Sequence, residues 1–439
     1  MTFMSLTSRQ KKILLVAGLI IISIAFLGIR FHKTKPTPVS LEIWGIMDDS
    51  KTFLPIIDNF QKKYPYTRIN YTLKDESTYH EDLLKAFSNN QAPDIFMLWN
   101  SNLPYYENKI SYLDLKKDKD LNLFDLNQTY PQIAKNELLK GDYLLGIPLY
   151  IDSLALYYNQ DIFNYYNIAL PPATWEEVLN LISRLRRINN QGQITRAAIA
   201  LGSPYNVRWN FDIVSALMMQ YGSNIVDIDK KQTTFKYDIL INGEKILPGE
   251  EALKFYTQFS DSRSRYYTWN DNFTDSVIAF SKGETVMMIG YNQAQETIKE
   301  YNPNLNYGIA SLPQFAANSS NKINYGDTMS LVVSQNSKYP EGCWQFLKFL
   351  SQKDIAKFYY LETKNPPARL DLIQNYVNEP VNGIFIRQIL LSRNWHQYNF
   401  QEITKIFQEM IEDITNKGKS PIQAIITASD RINLFWNKK

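Results

Sequence analysis

Residues 146–175, GIPLYIDSLALYYNQDIFNYYNIALPPATW, decide how this chain folds. An apolar strand broken by one acid, Asp152, runs into a second strand, Ser153 to Tyr158. A short helix follows, then Pro171-Pro172, and then a new helix opened by Thr174 with Glu177 three residues on, the capping-box spacing. A lone carboxylate between two apolar strands does not stay buried unpaired, because that costs several kcal/mol. The pattern therefore places Asp152 where the chain passes between two lobes and faces a cleft.

The rest of the chain is consistent with two lobes. At 439 residues it exceeds what one small core accommodates. The hydrophobic fraction of 44% and charged fraction of 21% are ordinary for a globular protein. Aromatics at 14%, led by 29 Tyr, are abundant, and they suit core, surface or a sugar- or peptide-binding cleft. The formal net charge of +3 is set by the N-terminus, where Arg9, Lys11, Lys12, Arg30, Lys33 and Lys35 stand without an acid. Removing those six leaves a net charge of −3 and no basic footprint for nucleic acid. The single Cys343 excludes an intramolecular disulfide and a multi-cysteine metal site, and it falls in a helical apolar pattern that suits a buried thiol. Only His32, His80 and His396 are available as imidazole ligands, which argues against a histidine-rich metal site. No metal and no cofactor is expected.

Ile13 to Ile29 is an apolar run of 17 residues with Arg9, Lys11 and Lys12 before it and Arg30 and Lys33 after it. As a helix it spans roughly 25 Å, slightly short of a hydrocarbon core of about 30 Å, a gap that flanking Lys and Arg close by snorkelling. A cleaved signal peptide is the competing reading, but Ala25-Phe26-Leu27-Gly28-Ile29-Arg30 offers no small-x-small site. We expect residues 1–12 on the cytoplasmic side, 13–29 as a membrane anchor or uncleaved signal, and 30–40, with Pro36 and Pro38, as a semi-rigid tether. Basic residues are balanced across the run, so the positive-inside rule does not orient it.

From Ser40 onward strands alternate with helices. The patterns predict strands at Leu41–Ile46, Arg68–Leu73 and Ile95–Leu98 and helices at Phe53–Lys63 and Thr78–Ser88, an α/β sheet covered on both faces. Beyond residue 175 the predicted elements are strands Ala197–Leu201 and Thr285–Ile289 and helices Phe211–Gln220, Glu250–Phe259 and Phe273–Ser281. Tyr307–Leu312 and Met329–Val333 read as strands returning to the first lobe, the chain from Leu370 reads as helical, and Asn318–Asn321 reads as a surface loop. Asp94, after Pro93, reads as a turn cap.

Several segments in order resemble the family 1 extracellular solute-binding proteins, the group that includes the maltodextrin-binding proteins. These are Leu41-Glu-Ile-Trp-Gly-Ile-Met-Asp-Asp, Ala92-Pro-Asp-Ile-Phe, Gly146-Ile-Pro, Leu156-Tyr-Tyr-Asn and Pro171-Pro-Ala-Thr-Trp-Glu-Glu. Phe280-Ser-Lys-Gly-Glu-Thr-Val-Met-Met-Ile-Gly, Trp344-Gln-Phe-Leu-Lys-Phe-Leu and Asn365-Pro-Pro-Ala-Arg369 complete the series. The resemblance implies a periplasmic-binding-protein-like fold of two α/β lobes joined by hinge strands, with residues 41–151 and 310–369 in one and 152–309 and 370–439 in the other. It also puts the large domain on the extracytoplasmic side.

Ligands of open α/β sheets sit outside the carboxyl ends of the strands. That rule nominates Trp44, Asp48 and Asp49, then Trp99 and Asn100, then Asp152. From the second lobe it nominates Tyr205, Trp209, Trp269, Asp271, Tyr291 and Asn292, and from the return strand and late region Tyr325, Asp327, Arg369 and Trp395. A loop tryptophan can simply pin its loop, but five from both lobes, with carboxylates and amides, favour a carbohydrate, whose ring stacks on indole and whose hydroxyls bind acids and amides. Asp152 aligns with a ligand-contacting acid of maltodextrin-binding relatives, and Arg369 suits either a ligand or a salt bridge across the hinge. Where those relatives place a stacking tryptophan after the Met-Met-Ile strand this chain has Tyr291-Asn292-Gln293, so maltodextrin itself does not follow.

The resemblance thus implies a monomeric, non-enzymatic substrate-binding subunit of an ABC importer, whose partners are a carbohydrate and membrane permease subunits. No P-loop occurs in the chain, as expected if the ATPase is a separate polypeptide. A membrane-anchored ligand sensor of the same fold is the alternative. A glycoside hydrolase, which would need two carboxylates about 5–5.5 or roughly 6.5–9.5 Å apart, draws no support from the spacing of Asp48, Asp49, Asp152 and Asp327.

Overall fold

A computed structural model describes residues 7–10, 12–13, 15–17, 38–46, 50–241, 243–316 and 322–436. The apolar run Ile13–Ile29 and the loop 318–321 therefore lie largely or wholly outside the described residues, as do Asp48 and Asp49. Among the described residues no helix is long and apolar enough to cross a membrane.

The first sheet begins with β1 (Val39–Gly45), α1 (Ser50–Lys63), β2 (Thr67–Leu73), α2 (Glu76–Ser88) and β3 (Ile95–Trp99). β1 lies between β2 and β3 and is parallel to both. β4 (Gly146–Ser153) is followed after one residue, Leu154, by β5 (Ala155–Asn159). All eight residues of β4 are buried, which explains its continuous apolar run. The break at Leu154 divides the molecule, because β4 joins the first sheet and β5 the second.

The second sheet adds β6 (Ile194–Ala200), β7 (Thr285–Gly290) and β8 (Tyr307–Ser311), in the order β8–β5–β7–β6, with Arg187–Ile188 at its edge. Its helices include α3 (Trp175–Leu185), α4 (Asn210–Gln220), α5 (Ser276–Ser281) and α6 (Ala294–Tyr301). Helix α3 starts as expected, with the Thr174–Glu177 capping box formed in both directions. Helix α5 starts at Ser276 and not at Phe273, because the Asp275 carboxylate caps the N–H groups of Val277 and Ile278.

β9 (Asn324–Val333) returns to the first sheet, antiparallel to both β3 and β4. Pro148 sits beside an irregularity of β4, where the register with β9 slips between Met329 and Ser330, the kind of strand position that tolerates a proline. α7 (Lys353–Thr363) packs on the same side. Asp94 accepts the Glu42 N–H at 2.9 Å and the Ser337 hydroxyl at 2.6 Å, a structural tie as expected.

Each sheet has its own apolar core. One gathers Leu41, Phe53, Phe60, Phe96, Ile151, Leu331 and Phe346, with Cys343 buried among them. The other gathers Leu156, Tyr157, Trp175, Ile199, Phe211, Met287 and Ile411. Three crossings join them, and they are tied together near Leu154. Leu154 donates its N–H to the Tyr325 carbonyl at 3.1 Å. The Asn324 amide donates to the Leu154 carbonyl at 2.8 Å and to Gln388 Oε1 at 3.1 Å, and the Leu312 N–H reaches the same Gln388 oxygen at 2.8 Å.

Two expected boundaries move. β8, read as a strand returning to the first lobe, pairs with β5 over Tyr307 to Ser311 and belongs to the second sheet, and Leu312, Phe315 and Ile323 pack into the second core. The chain enters the first sheet only at β9. Ile373, Ile386 and Ile389 likewise pack into the first core and Ser392–Arg393 pairs with β9, whereas Phe385 and then Trp395 pack into the second, so the final crossing spans Phe385 to Trp395 and does not fall at residue 370. Periodicity identifies a strand or helix but carries no information on which sheet receives it.

Candidate functional site

A cleft of about 1250 Å³ opens between the two sheets. One wall comes from the first turns of α1 and α2 (Lys51, Thr52, Glu76) and the end of α7 with its following loop (Glu362 to Asn365). The other comes from the approach to α4 (Arg208, Trp209), the turn between β7 and α6 (Asn292, Gln293) and the first turn of α6 (Gln295, Glu296, Thr297). Glu379 to Asn382, just before the last crossing, close the side. Loops at strand ends and first turns of helices meet here because the parallel strands of each sheet, β1 to β3 in one and β6 and β7 in the other, deliver their carboxyl ends to one edge.

The expected residues divide into three groups. Trp209 and Asn292 line the cleft directly. Trp209 is half-buried, with Tyr291 edge-on at 5.4 Å and the Arg208 guanidinium over its ring at 5.6 Å. Asn292 accepts from Gln295 at 2.7 Å and donates across the cleft to the Lys364 carbonyl at 3.4 Å, beside Asn382, which reaches the same oxygen at 2.9 Å. Trp99 stands edge-on to Tyr150 at 5.6 Å and hydrogen-bonds Glu76, while the Lys74 ammonium sits 3.8 Å over the ring of Trp44.

A second group, none of it in the cleft lining itself, forms a polar floor behind Tyr291, the neighbour of Trp209. Asp327 accepts N–H groups from Thr328 at 2.7 Å and Ser101 at 3.3 Å. Asn100 is buried, accepting from Ser330 at 2.8 Å. Tyr325 receives the Gln397 amide at 3.0 Å. Asp212, in the first turn of α4, is hydrogen-bonded to Tyr291 and lies close enough to Asp327 for the two charges to repel. Burial pushes Asp327 up to about 7, and burial together with the Asp327 charge pushes Asp212 up to about 8. Burial of the hydroxyls raises Tyr291 and Tyr325 well above the ordinary phenol value.

The third group is corrected. Trp269 is fully buried, stacked on Phe273 at 4.5 Å, with its indole N–H given to Asn206 at 2.8 Å. Trp395 is buried against Phe211, its N–H on the Ser215 hydroxyl at 3.2 Å. Both follow loops, and both point into the second core because an indole buries more apolar area than any other side chain. Tyr205 is 57% exposed and faces Glu412 on the outer surface, and Asp271 accepts from Ser203 in a separate 170 Å³ recess with Asn270 and Thr415. Arg369 holds Asp371 in a two-pronged pair at 3.0 and 3.1 Å and caps the Ser351 carbonyl, so of its two expected roles it takes a salt bridge, inside the first lobe and not across the hinge.

Asp152 was expected to face the cleft, but it is only 2% exposed. Its carboxylate accepts the N–H of Ser153 at 2.8 Å, that of Asn292 at 3.1 Å, and that of Gln293. Burial raises it to about 7 against these bonds. It is a strut from the first crossing to the cleft-lining turn at 291–293. Asp152→Ala is expected to cost about 2 kcal/mol, since buried N–H groups lose their acceptor, whereas Asp152→Asn is expected to be nearly neutral. Urea titration of both variants measures this; equal losses would show that the charge and not the acceptor matters.

Glu76, Arg208, Asp212 and Lys364 were not nominated. In the structure Glu76 and Asp212 both fall in the first turn of a helix, where an acid is satisfied by the helix dipole alone and gives no separate signal of a site. Among the described residues no group of three or more His, Cys, Asp and Glu side chains is arranged to hold a metal ion.

Comparison with known proteins agrees with this architecture. The family model described as bacterial extracellular solute-binding protein matches residues 44–357. A protein of Brucella abortus described as a binding protein is 28% identical over 246 residues, covering 53% of each chain, so the match spans about half the length of that relative. The sn-glycerol-3-phosphate-binding periplasmic protein of Salmonella typhimurium is 23% identical over 417 residues, covering 86% of this chain and 88% of its own. Among solved structures, the cyclic alpha-maltosyl-1,6-maltose binding protein of Arthrobacter globiformis superposes with a TM-score of 0.73 at 17% identity, covering 92% of this chain and all of that one, and so shares the fold. With the family model matching well over half its length, the chain belongs to the bacterial extracellular solute-binding proteins.

Proposed function

We propose that this protein is the substrate-binding subunit of an ABC importer, capturing an oligosaccharide between its two lobes outside the cytoplasmic membrane and presenting it to permease subunits. The observation that carries this is the cleft itself, a 1250 Å³ space between two separately cored sheets, lined by a half-exposed indole, amides and carboxylates. Its volume exceeds the roughly 300–1,000 Å³ of ordinary small-ligand pockets and suits more than one sugar ring. Trp209 offers a ring face, and Asn292, Gln293, Gln295, Glu76 and Asn365 offer hydroxyl partners.

The two named relatives differ in cargo, and the charge of the cleft favours one. Four carboxylates (Glu76, Glu296, Glu362, Glu379) face three cations (Lys51, Arg208, Lys364), and Arg208 is already paired with Asp275 at 2.8 Å. Asp212 and Asp327 add acidity at the floor. A phosphate ester, which calls for converging cations and N–H donors, fits this surroundings poorly, and a neutral saccharide fits it well. The apolar run at 13–29 fits an uncleaved tether holding the domain beside its permease, and the protein is read as a monomer and as a binder, not a catalyst.

Thermal denaturation against a glycan panel, with sn-glycerol 3-phosphate as the contrasting ligand, tests the reading. The cognate saccharide at a hundred times its Kd is expected to stabilise the protein by about 2.7 kcal/mol. A shift with glycerol 3-phosphate and none with any glycan would sink the sugar assignment.

A further inference from the structure

Trp209 occupies an unusual backbone position. It precedes α4 with φ at +61°, in the left-handed region that bulky side chains seldom enter. Such a conformation persists only where the surroundings over-determine it, and it concentrates at ligand sites. Three neighbours hold this residue. Tyr291 meets the indole edge-on at 5.4 Å. Arg208 covers it at 5.6 Å and is itself fixed, through Nε to Asp275 at 3.0 Å and through its backbone N–H to the Ser276 hydroxyl at 3.0 Å. The third neighbour is a gap. A Cβ at Gly290 would stand 2.9 Å from Trp209 Cζ3, closer than a side chain tolerates, and 3.6 Å from Cε3, an ordinary contact.

Gly290 is also the last residue of β7 and pairs with Ala155, the residue after the Leu154 crossing. Two residues on, the Asn292 N–H is fixed by Asp152. The seat of the indole is therefore tied, through Gly290 and the Asn292 turn, to the chain on either side of the Leu154 crossing.

We propose that Gly290, which does not itself line the cleft, is a positioning residue for ligand recognition: its missing side chain is the notch that seats the Trp209 indole as the platform on which a saccharide ring stacks. The inference rests on reading the cleft as a saccharide site. Indole stacking demands a fixed ring plane, and a benzo ring displaced by a methyl group presents a tilted face.

A double-mutant cycle tests it, using Gly290→Ala, Trp209→Phe and the pair, because phenylalanine has no atom at the Cζ3 position. Titration calorimetry with the saccharide found in the thermal screen is expected to show Gly290→Ala weakening binding about tenfold or more, with an unchanged far-UV spectrum. In the Trp209→Phe background the same substitution is expected to change affinity less than about twofold, and tryptophan fluorescence should shift only when Trp209 is present. Equal losses in both backgrounds, or wild-type binding by Gly290→Ala, would overturn the proposal. If Gly290→Ala fails to fold, folding of the double variant supports the proposal, and failure of both overturns it. The fluorescence and folding arms need no ligand, so they report on the notch even if no glycan binds.

Discussion

Acidifying the protein from about pH 8 to about pH 5 is expected to raise its melting temperature, opposite to the trend produced by salt-bridged carboxylates. Asp152 and Asp327 are pushed up to about 7 and Asp212 to about 8, burial being the main cause in each. Unfolded, the same side chains lose their protons near the ordinary aspartate value of about 3.9. Between those limits the folded chain holds more protons than the unfolded one, so stability is greatest at the acidic end and falls as pH rises towards about 8. Surface carboxylates held low, such as Asp261 beside Arg263, act only when pH falls into or below the ordinary carboxylate range. With each pKa unit corresponding to about 1.4 kcal/mol, and discounting for the partial exposure of Asp212 and Asp327, the loss across this window is on the order of 2 kcal/mol. Asp212→Asn keeps a side-chain partner for Tyr291 and removes the repulsion with Asp327, so it should stabilise the protein at the alkaline end and flatten the slope. Urea titrations across the window decide this. A wild type more stable at about pH 8 than at about pH 5, or an Asp212→Asn variant of unchanged slope, would contradict the buried-acid floor.

Trp175→Ala is expected to cost about 4 kcal/mol, in the range for a large aromatic removed from a packed core. Trp175 is 1% exposed, with Phe255 edge-on at 5.3 Å and Phe315 at 6.3 Å. Its indole N–H donates at 2.8 Å to Gln220, whose amide in turn donates at 3.1 Å to the carbonyls of both Pro313 and Ile323. The residue thus links α3 and α4 to the chain running from β8 to β9. Removing it leaves a cavity and frees the connection that leads back into the first sheet. Trp175→Phe should lose about half as much, retaining ring packing without the N–H. Chemical denaturation monitored separately in the two cores measures both, and a loss below about 1 kcal/mol for the alanine variant would show that the connection is held elsewhere.

Local chemistry made much of this protein legible. Thr174 and Glu177 announced a helix start that is met bond for bond, because a capping box is satisfied within four residues. The apolar run at 146–151 announced a strand, which the structure buries throughout, and Asp152 marked the passage between two lobes. The same reasoning misjudged what Asp152 does. An acid that cannot stay unsatisfied has two remedies, solvent or hydrogen-bond donors, and sequence shows only that one is needed. The donors come from Ser153, Asn292 and Gln293, two of which lie more than a hundred positions away. Trp209 and Trp395 pose the same question for indoles. Both follow loops, but Trp395 turns into the core beside Phe211 while Trp209 turns to the cleft beside Tyr291, and the partners that separate the two cases are remote in the chain.

What the sequence by itself determined, then, is the set of elements, the two-lobed α/β plan and the neighbourhood of the cleft, because periodicity, caps and prolines act over a few residues and strand ends converge by topology. Tertiary structure alone decided that β8 stays with the second sheet, that Asp212 joins Asp327 at the floor, and that Asp152 is enclosed while Trp209 is presented. Those outcomes depend on which distant groups satisfy a buried charge or leave space for a ring, and only the packed chain brings such groups within hydrogen-bonding or van der Waals range.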